Sequence, residues 1–438
     1  MATPNSLGQH VLQRCHELGF ALAGVTDAAP SARSAEFRAW LAAGRHGTMG
    51  YLARNVELRE DVRRLLPGAR SVVMVADQYA TRNDPPDPHE PAGYPHRPGG
   101  AGYPHRVGGP GTPTAPGGSP PLGRIARYAR GRDYHREIKG RLHTLCDELR
   151  AQHRAECRAF CDTAPAPERE LAARAGLGWI GKHTLLINPR LGSYLLLGGF
   201  VTTLDLLDTP PVPGGPGIPT VPGGRHTRTP RSEAKSASAP SLSRAPRERA
   251  GERGSTPTPP ASLLSPSSPE HQRAPHADPE LALGAPSDAC GTCTRCIDAC
   301  PTRAITPYSV DASRCISYLT IERREPLPAW AEGRKLAGWL FGCDICQEVC
   351  PHNSPRRAGV EVGEPNPAYR PAPGRAAGLD LRAVLDWTPA DRSRELSGSA
   401  IKRATLAMLQ RNAIALLDGG GRPRDHSAGV AAPRRGGG

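Results

Sequence analysis

The sequence predicts an α/β domain, then a bacterial ferredoxin-like domain for two 4Fe–4S clusters, then a short α-helical C-terminus. Three observations predict it. Helical and strand-like apolar runs alternate through the first two hundred residues. Eight of the 12 cysteines crowd into 290–350 of the 438-residue chain. The 49 glycines and 48 prolines gather in tracts that have no periodicity, which are expected to be two disordered insertions.

Residues 5–19 present Leu7, Val11, Leu12, Cys15 and Leu18 along one side, the spacing of an amphipathic helix. FALAGVT (20–26) is expected to be a strand, and 34–44 a second helix carrying Phe37, Trp40 and Leu41. ARSVVMVADQY (69–79) predicts a buried strand. Residues 81–121 lose periodicity and hold the tandem repeat AGYPHRPGG–AGYPHRVGG. Its His-Arg pairs offer metal or anion ligands, but Pro and Gly at this density are expected to be linker. A long helix is expected within 127–153, with Ile138, Leu142, Leu145, Cys146 and Leu149 as its stripe. CRAFCD (157–162) is expected to be a strand, and 167–178 a short helix ended by glycine. In 183–206 the turn residues NPRLG separate two apolar runs, which predicts a β-hairpin. Residues 207–286 lack large apolar side chains and are expected to be the second insertion. The last helix is expected over 399–419, followed by a disordered tail.

The formal charge of +14 favours a polyanionic partner, nucleic acid before membrane. The first twenty residues lack a basic region followed by an apolar one, and no apolar run reaches the ~18 residues of a membrane span. Twelve cysteines without an export signal point to metal or redox chemistry rather than a disulfide framework. A cytoplasmic protein is expected.

Cys290, Cys293, Cys296 and Cys300-Pro301 repeat the C-x2-C-x2-C-x3-C-P run of bacterial ferredoxins, in which the fourth thiolate ligates a neighbouring cluster. That neighbour needs its own ligands. GCDICQEVCP supplies Cys343, Cys346 and Cys350, but position 340 is leucine, so Cys315 completes the count. Cys290, Cys293, Cys296 and Cys350 are therefore assigned to one cluster, and Cys300, Cys315, Cys343 and Cys346 to the other. Zinc held by four thiolates is the alternative, but it explains neither the interleaved cysteine nor the two Cys-Pro endings. Cys15, Cys146, Cys157 and Cys161 fall on apolar faces and are expected in the core.

GLGWIG (176–181) fits G-x-G-x-x-G, but a helix precedes it and a strand follows, the reverse of a dinucleotide-binding turn. Its surroundings carry a different likeness. CDTAPAPERELAARAGLGWIGKHTLLINPRLGSYLLLG, RYARGRDYH, CISYLTIE and the double cysteine set resemble the epoxyqueuosine reductase family, in collinear order over 1–80, 122–206 and 286–418. That family looks related to reductive dehalogenases, with a cobalamin-binding α/β domain ahead of the two-cluster domain. The resemblance implies reduction of epoxyqueuosine to queuosine at the tRNA wobble position, with electrons passing through the clusters to cobalamin. It also implies an external flavodoxin- or ferredoxin-like donor.

The implied organisation is a cobalamin-binding domain over 1–206 (with 81–121 inserted), an insertion over 207–286 and a two-cluster domain over 287–355. A helical segment over 375–418 and a tail over 419–438 complete it. The family carries C-terminal helical repeats; here a shortened set is expected. A monomer with no membrane attachment is expected.

Asp133 in GRDYH matches the family's proposed proton donor, a carboxylic acid of raised pKa that protonates the departing oxygen. The residues alone favour a helix N-cap for Asp133, and the resemblance favours the proton donor; the two roles do not exclude each other. The resemblance places Arg54, Asn55, Asp133, Asp162, Lys182 and His183 near cobalamin or substrate, with Ser317 and Asp344 beside the cluster ligands nearest it. Each of these is also an ordinary surface or turn residue. Lys402, Arg403 and Arg411 are expected to meet tRNA phosphates; a solvated helix face is the plain alternative. A dehalogenase-like reductase of a small molecule and a ferredoxin-type carrier are the rival functions. The long α/β segment ahead of the cysteines argues against the carrier.

Overall fold

The computed structural model describes residues 6–81, 120–207, 289–331, 336–353 and 364–418. The expected insertions and tail lie outside these residues except at their margins. The N-terminal half contains α1 (Leu7–Glu17), β1 (Leu22–Asp27), α2 (Ser34–Ala42), α3 (Tyr51–Arg54), α4 (Val56–Glu60) and β2 (Ser71–Gln78). After the first insertion come β3 (Leu122–Ile125), α5 (Tyr134–His153), β4 (Cys157–Phe160) and α6 (Glu168–Arg174). Strands β5 (Trp179–Ile180), β6 (Leu186–Ile187) and β7 (Leu195–Thr202) follow. The cysteine-rich segment forms α7 (Arg295–Asp298), β8 (Ile305–Thr306), β9 (Ser309–Val310), α8 (Ile316–Ile321), β10 (Trp339–Phe341) and α9 (Ile345–Glu348). The chain ends in β11 (Leu379–Asp380), α10 (Leu381–Asp386), α11 (Pro389–Glu395) and α12 (Leu406–Asp418).

The architecture is mixed α/β. Its main sheet has the order β1-β2-β7-β4 and is antiparallel throughout. β2 is buried along its whole length because both faces are covered. Val73 and Val75 face α1 and α5; Val72, Met74 and Ala76 face α6. α5 buries the expected stripe of Ile138, Leu142, Leu145, Cys146 and Leu149. It lies so close to β7 that a Cβ at Gly198 would come 2.6 Å from Ile138. Cys15, Cys146, Cys157 and Cys161 are all in the core.

Two expectations are corrected, the hairpin and the start of the last helix. NPRLG does make a tight turn, closed by reciprocal Asn188–Gly192 backbone bonds of 2.9 and 3.0 Å. Its flanking runs, however, do not form a hairpin. β6 pairs with β5, while β7 pairs with β2 over eight residues and with β4 on its other edge. That longer ladder buries both faces of β7, which a local hairpin would not. The helix expected within 127–153 is borne out: it runs from Tyr134 to His153, and Asp133 accepts the His135 N–H as its cap. The helix expected over 399–419 starts at Leu406; Ala400–Arg403 is a separate 3-10 turn, broken by extended backbone at Ala404.

One hydrophobic cluster joins Val73, Ile138 and Leu142 of the sheet layer to Leu319, Trp339, Phe341, Leu381 and Leu409 of the later segments. At its heart Asp77, 1% exposed, accepts from the Arg141 guanidinium and from the Tyr369 hydroxyl at 2.6 Å. Arg141 also covers the Phe20 ring at 4.0 Å. Removing one partner of such a pair leaves a buried charge uncompensated. Arg141→Ala is therefore expected to destabilise the protein by about 3–5 kcal/mol. Arg38→Ala, which breaks only the exposed pair with Glu60, is expected to cost below about 1 kcal/mol. Urea unfolding midpoints of the two variants check this; equal shifts would contradict it.

Candidate functional site

The cysteine motifs fold as loops, each followed by a one-turn helix, α7 or α9. All twelve cysteines are among the described residues, and no disulfide joins any of them. Burial raises the Cys296 thiol to about 11, with Cys293 and Cys290 adding to the effect. Burial likewise raises Cys350 to about 12; Cys290, Cys296 and Cys293 push it further, and the His352 N–H opposes them. Burial raises Cys315, Cys343 and Cys346 as well. Cys315 feels Cys300, Cys343 feels Cys346 and Cys315, and Cys346 feels Cys315 before Cys296 and Cys300. The eight motif thiols thus share one neighbourhood: Cys290, Cys293 and Cys296 act on Cys350, Cys315 acts on Cys343 and Cys346, and Cys296 acts on Cys346 as well.

Neighbouring thiols that disfavour one another's ionisation need a multivalent cation between them to bind as thiolates, so this donor set fits iron–sulfur clusters. Among the described residues no three His, Cys, Asp or Glu side chains close around the position of one metal ion. A cubane asks for a wider shell, because each thiolate binds a different iron.

Neighbouring residues hold these loops. Lys182 Nζ donates to the carbonyls of Gly291 (2.5 Å) and Cys293 (3.2 Å), so this lysine braces the first cysteine loop instead of reaching a separate cofactor. The Ser317 hydroxyl and the Ser317 and Tyr318 N–H groups favour the Cys315 thiolate at the start of α8, so Ser317 serves that sulfur. Asp344 is 1% exposed and accepts the Arg127 N–H at 2.7 Å; burial raises its carboxyl. Asn353 and Gln347 bond the buried Ser193, fastening α9 to the turn ahead of β7.

A second group of charges lies where α5 begins. Asp133 Oδ1 accepts the His135 N–H at 3.1 Å and lies 2.8 Å from His135 Nδ1. His135 Nε2 lies 3.2 Å from Asp162 Oδ2, which also accepts the Tyr134 hydroxyl at 2.8 Å. The bond from His135 holds the Asp133 carboxyl below its usual range. This corrects the expectation of a raised pKa: Asp133 is a carboxylate and an N-cap. Burial works against a charge on His135, but the two carboxylates outweigh it and raise the ring to about 9. Burial raises Glu168 to about 8, with the Asp162 charge adding to it, while Glu168 Oε1 accepts the Asp162 N–H at 2.5 Å.

Asp162 has the left-handed φ of 53°, uncommon away from glycine. Its side chain is 62% exposed, yet burial is the first influence on its carboxyl, offset by His135 and Tyr134. Asp162 therefore stands at the exposed side of the group formed by Asp133, His135 and Glu168. The charges of Tyr51, Glu168 and Asp162 act on Arg59, whose buried Nε has no hydrogen-bond partner. Tyr128 feels both Asp162 and Asp344, so it lies between this charge group and the second cysteine run. The unpartnered donor and the open walls fit a ligand rich in acceptors.

The remaining expected residues are dispersed. Arg54 and Asn55 are exposed where α3 meets α4. His183 is 3% exposed; its Nδ1 accepts the Leu185 N–H, its Nε2 is unpartnered, and burial lowers it to about 4. Arg403 makes a two-pronged pair with Glu322, both bonds 2.9 Å. Arg411 spends its guanidinium on the Leu319, Arg323 and Glu325 carbonyls and on Asn412. That commitment corrects its assignment to phosphate; of the three expected contacts only Lys402 is an exposed side chain without a bonded partner. His135, Glu168, Tyr128 and Arg59 were not singled out from the sequence. Only His135 had a legible signal, two residues after Asp133 in GRDYH.

The profile of a 4Fe–4S double cluster binding domain matches residues 289–353, and that of epoxyqueuosine reductase QueG, DUF1730, matches 59–163. An epoxyqueuosine reductase of Synechocystis is 31% identical over 398 residues, spanning 90% of this chain and 99% of that protein. One of Burkholderia pseudomallei is 33% identical over 434 residues, 95% of this chain and 84% of that protein. A crystal structure of epoxyqueuosine reductase with an epoxyqueuosine-modified tRNA-Tyr stem loop has the same fold, at TM-score 0.62 and 22% identity. It covers 94% of this chain and 81% of its own.

Glu168 and His135 both tie stability to pH. The Glu168 pKa is raised from 4.5 to about 8, so the folded state keeps a proton that the unfolded chain releases. Stability therefore falls as pH rises from 4.5 through about 8. Glu168→Gln lacks that charge and keeps the acceptor. It is expected to match the wild type near pH 4.5 and to gain on it up to about pH 8 in urea midpoints. A difference that stays constant with pH would count against it. The His135 contribution, present below 6.5 and lost as pH passes about 9, remains in both proteins.

Proposed function

The chain belongs to the epoxyqueuosine reductase family of oxidoreductases, and from that premise we propose that it reduces the epoxide of epoxyqueuosine to queuosine at the wobble position of tRNA. The observation that carries this reading is the charge group of Asp133, His135 and Asp162 at the start of α5, with the Arg127–Asp344 bond fastening the chain just ahead of it to the second cysteine run; the exposed Asp162 side is the proposed recess for a ligand. Converting an epoxide to an alkene takes two electrons and two protons: one proton meets the oxygen as the ring opens, and the second lets it leave as water. Two 4Fe–4S clusters in the thiol groups and a cobalamin in the recess, fed by an external flavodoxin- or ferredoxin-like donor, would supply the electrons.

The chain's own residues do the rest. Cys290, Cys293, Cys296 and Cys350 hold one cluster, and Cys300, Cys315, Cys343 and Cys346 the other. Lys182 and Ser317 keep the loops and one sulfur in place. Tyr51, Arg59 and Tyr128 line the cobalamin site, with Arg54 and Asn55 at its exposed margin. A proton reaches the departing oxygen through Asp133 at the mouth of the recess. Lys402 meets tRNA phosphate, and Arg403, paired with Glu322, shapes the wall beside Tyr51. The tRNA in the related crystal structure belongs to that protein; the likeness in fold and the net charge of +14 support the same substrate class here. Among the described residues no helix is long and apolar enough to cross a membrane.

The interleaving has a direct check. Reconstituted wild type is expected to bind about eight irons. Cys350→Ser is expected to alter the same electron paramagnetic resonance signal as Cys290→Ser, and Cys343→Ser the same one as Cys300→Ser. Pairing of Cys350 with Cys343 instead would refute the assignment. For the reaction, the anaerobic protein with iron, sulfide, cobalamin, a strong reductant and epoxyqueuosine-tRNA is expected to yield nucleoside lighter by one oxygen on mass spectrometry. Asp133→Asn is expected to lower that yield about 10²–10⁴-fold. No conversion by a fully loaded wild type would move the reading to a reductase of a small molecule.

A further inference from the structure

We propose that His135 stores the proton that leaves through Asp133, and that Asp162 and Tyr134 aim it. The inference rests on the reading of Asp133 as the group that protonates the leaving oxygen. It starts from geometry. Both ring nitrogens of His135 face carboxylate oxygens, Asp133 Oδ1 at 2.8 Å and Asp162 Oδ2 at 3.2 Å. Carboxylates only accept hydrogen bonds, so the ring satisfies both contacts only with a proton on each nitrogen. The Tyr134 ring stacks on the imidazole at a centroid distance of 4.0 Å, and its hydroxyl donates to the same Asp162 oxygen. These contacts fix the ring orientation, so Nδ1–H is directed at Asp133.

The surroundings favour the charged ring. Asp133, at the start of α5, and Asp162 and Glu168, from the segment after β4, face it with acidic groups. The nearby cations act on the carboxylates instead: Arg136 on Asp133 and Arg403 on Asp162. Asp133 alone is a poor acid near neutral pH, because its carboxyl lies below the usual range. Paired with His135 it commands a proton under those conditions. In the reaction the substrate oxygen gains a proton and His135 loses the one on Nδ1. Asp133 ends as the carboxylate it began as, and the ring is left neutral with its remaining proton on Nε2, facing Asp162. Solvent supplies two protons per turnover, one that releases the oxygen as water as the alkene forms and one that restores the ring. His135, Asp162 and Tyr134 are positioning residues, since they act through Asp133.

The test has a spectroscopic arm and a kinetic arm, both on the cluster-loaded full chain. With 15N-labelled histidine, the His135 signals are assigned by their loss in His135→Gln. Wild type is expected to show both ring nitrogens protonated at pH 7.5 and to lose a proton at about 9. Asp162→Asn is expected to bring that midpoint toward the ordinary value of about 6.5. A wild-type midpoint near 6.5, or one that Asp162→Asn leaves in place, overturns the proposal. In single turnovers with epoxyqueuosine stem-loop RNA and added cobalamin, the wild-type rate is expected to hold up to about pH 9 and then fall. His135→Gln is expected to slow it about 10²–10⁴-fold at pH 8 and to shift the fall to lower pH. An unchanged rate, or a slower rate with the fall unmoved, also overturns it. If loaded wild type does not turn over the RNA at all, the proposed function fails, and the nitrogen signals still report where the proton is held.

Discussion

The parallel pairing of β10 with β3 is the contact on which the site depends. Trp339, Leu340 and Phe341 are completely buried, and Arg124 of β3 lies 3.9 Å over the Trp339 ring. The same Arg124 pairs with Glu348 of α9 at 2.9 Å, with both side chains about nine-tenths buried. Because the two strands are parallel, the chain leaves both at the same end. One exit carries Arg127, Tyr128 and Asp133; the other carries Cys343, Asp344 and Cys346. The bond from Arg127 N–H to Asp344 closes the junction. Segments more than two hundred residues apart in sequence thereby place one four-thiol group beside the recess. Breaking this pairing would separate them without touching a cysteine.

Within the site, environment rather than residue type decides each charge. Asp133 and Asp162 are held as carboxylates by the histidine between them, although burial opposes the second. Glu168, six residues on, has no such partner and is pushed the other way by burial and by Asp162. His135 and His183 diverge by the same logic. One sits between two carboxylates and rises to about 9; the other has only a backbone N–H and falls to about 4. Acid, base and neutral polar group thus coexist near one pH.

The chain's positive charge is partly structural. Arg411 ties α12 to the carbonyls at the end of α8, Arg392 bonds the carbonyls of Lys402 and Ala404, and Arg141 neutralises the buried Asp77. A lysine could not replace these guanidiniums equally well, since one planar fork reaches several acceptors. A net charge counted from the sequence does not separate them from cations that face solvent.

The sequence by itself determined what is local. Spacing marked the two cysteine runs and their missing ligand, since ligand geometry around a cluster restricts the intervening residues. Apolar periodicity marked α5 and β2, and GRDYH marked the capped start of α5. What required more than one segment was decided only in three dimensions. β7 chose β2 over the nearby β6, because a distant partner offered a longer ladder and two buried faces. Whether an arginine meets solvent or a carbonyl depends on which segment packs above it. The pKa of His135 turned on Asp162 as well as on Asp133, and Asp162 comes from the far side of a loop. Local pattern governs ligands and element type; burial and charge partners are properties of the packed chain.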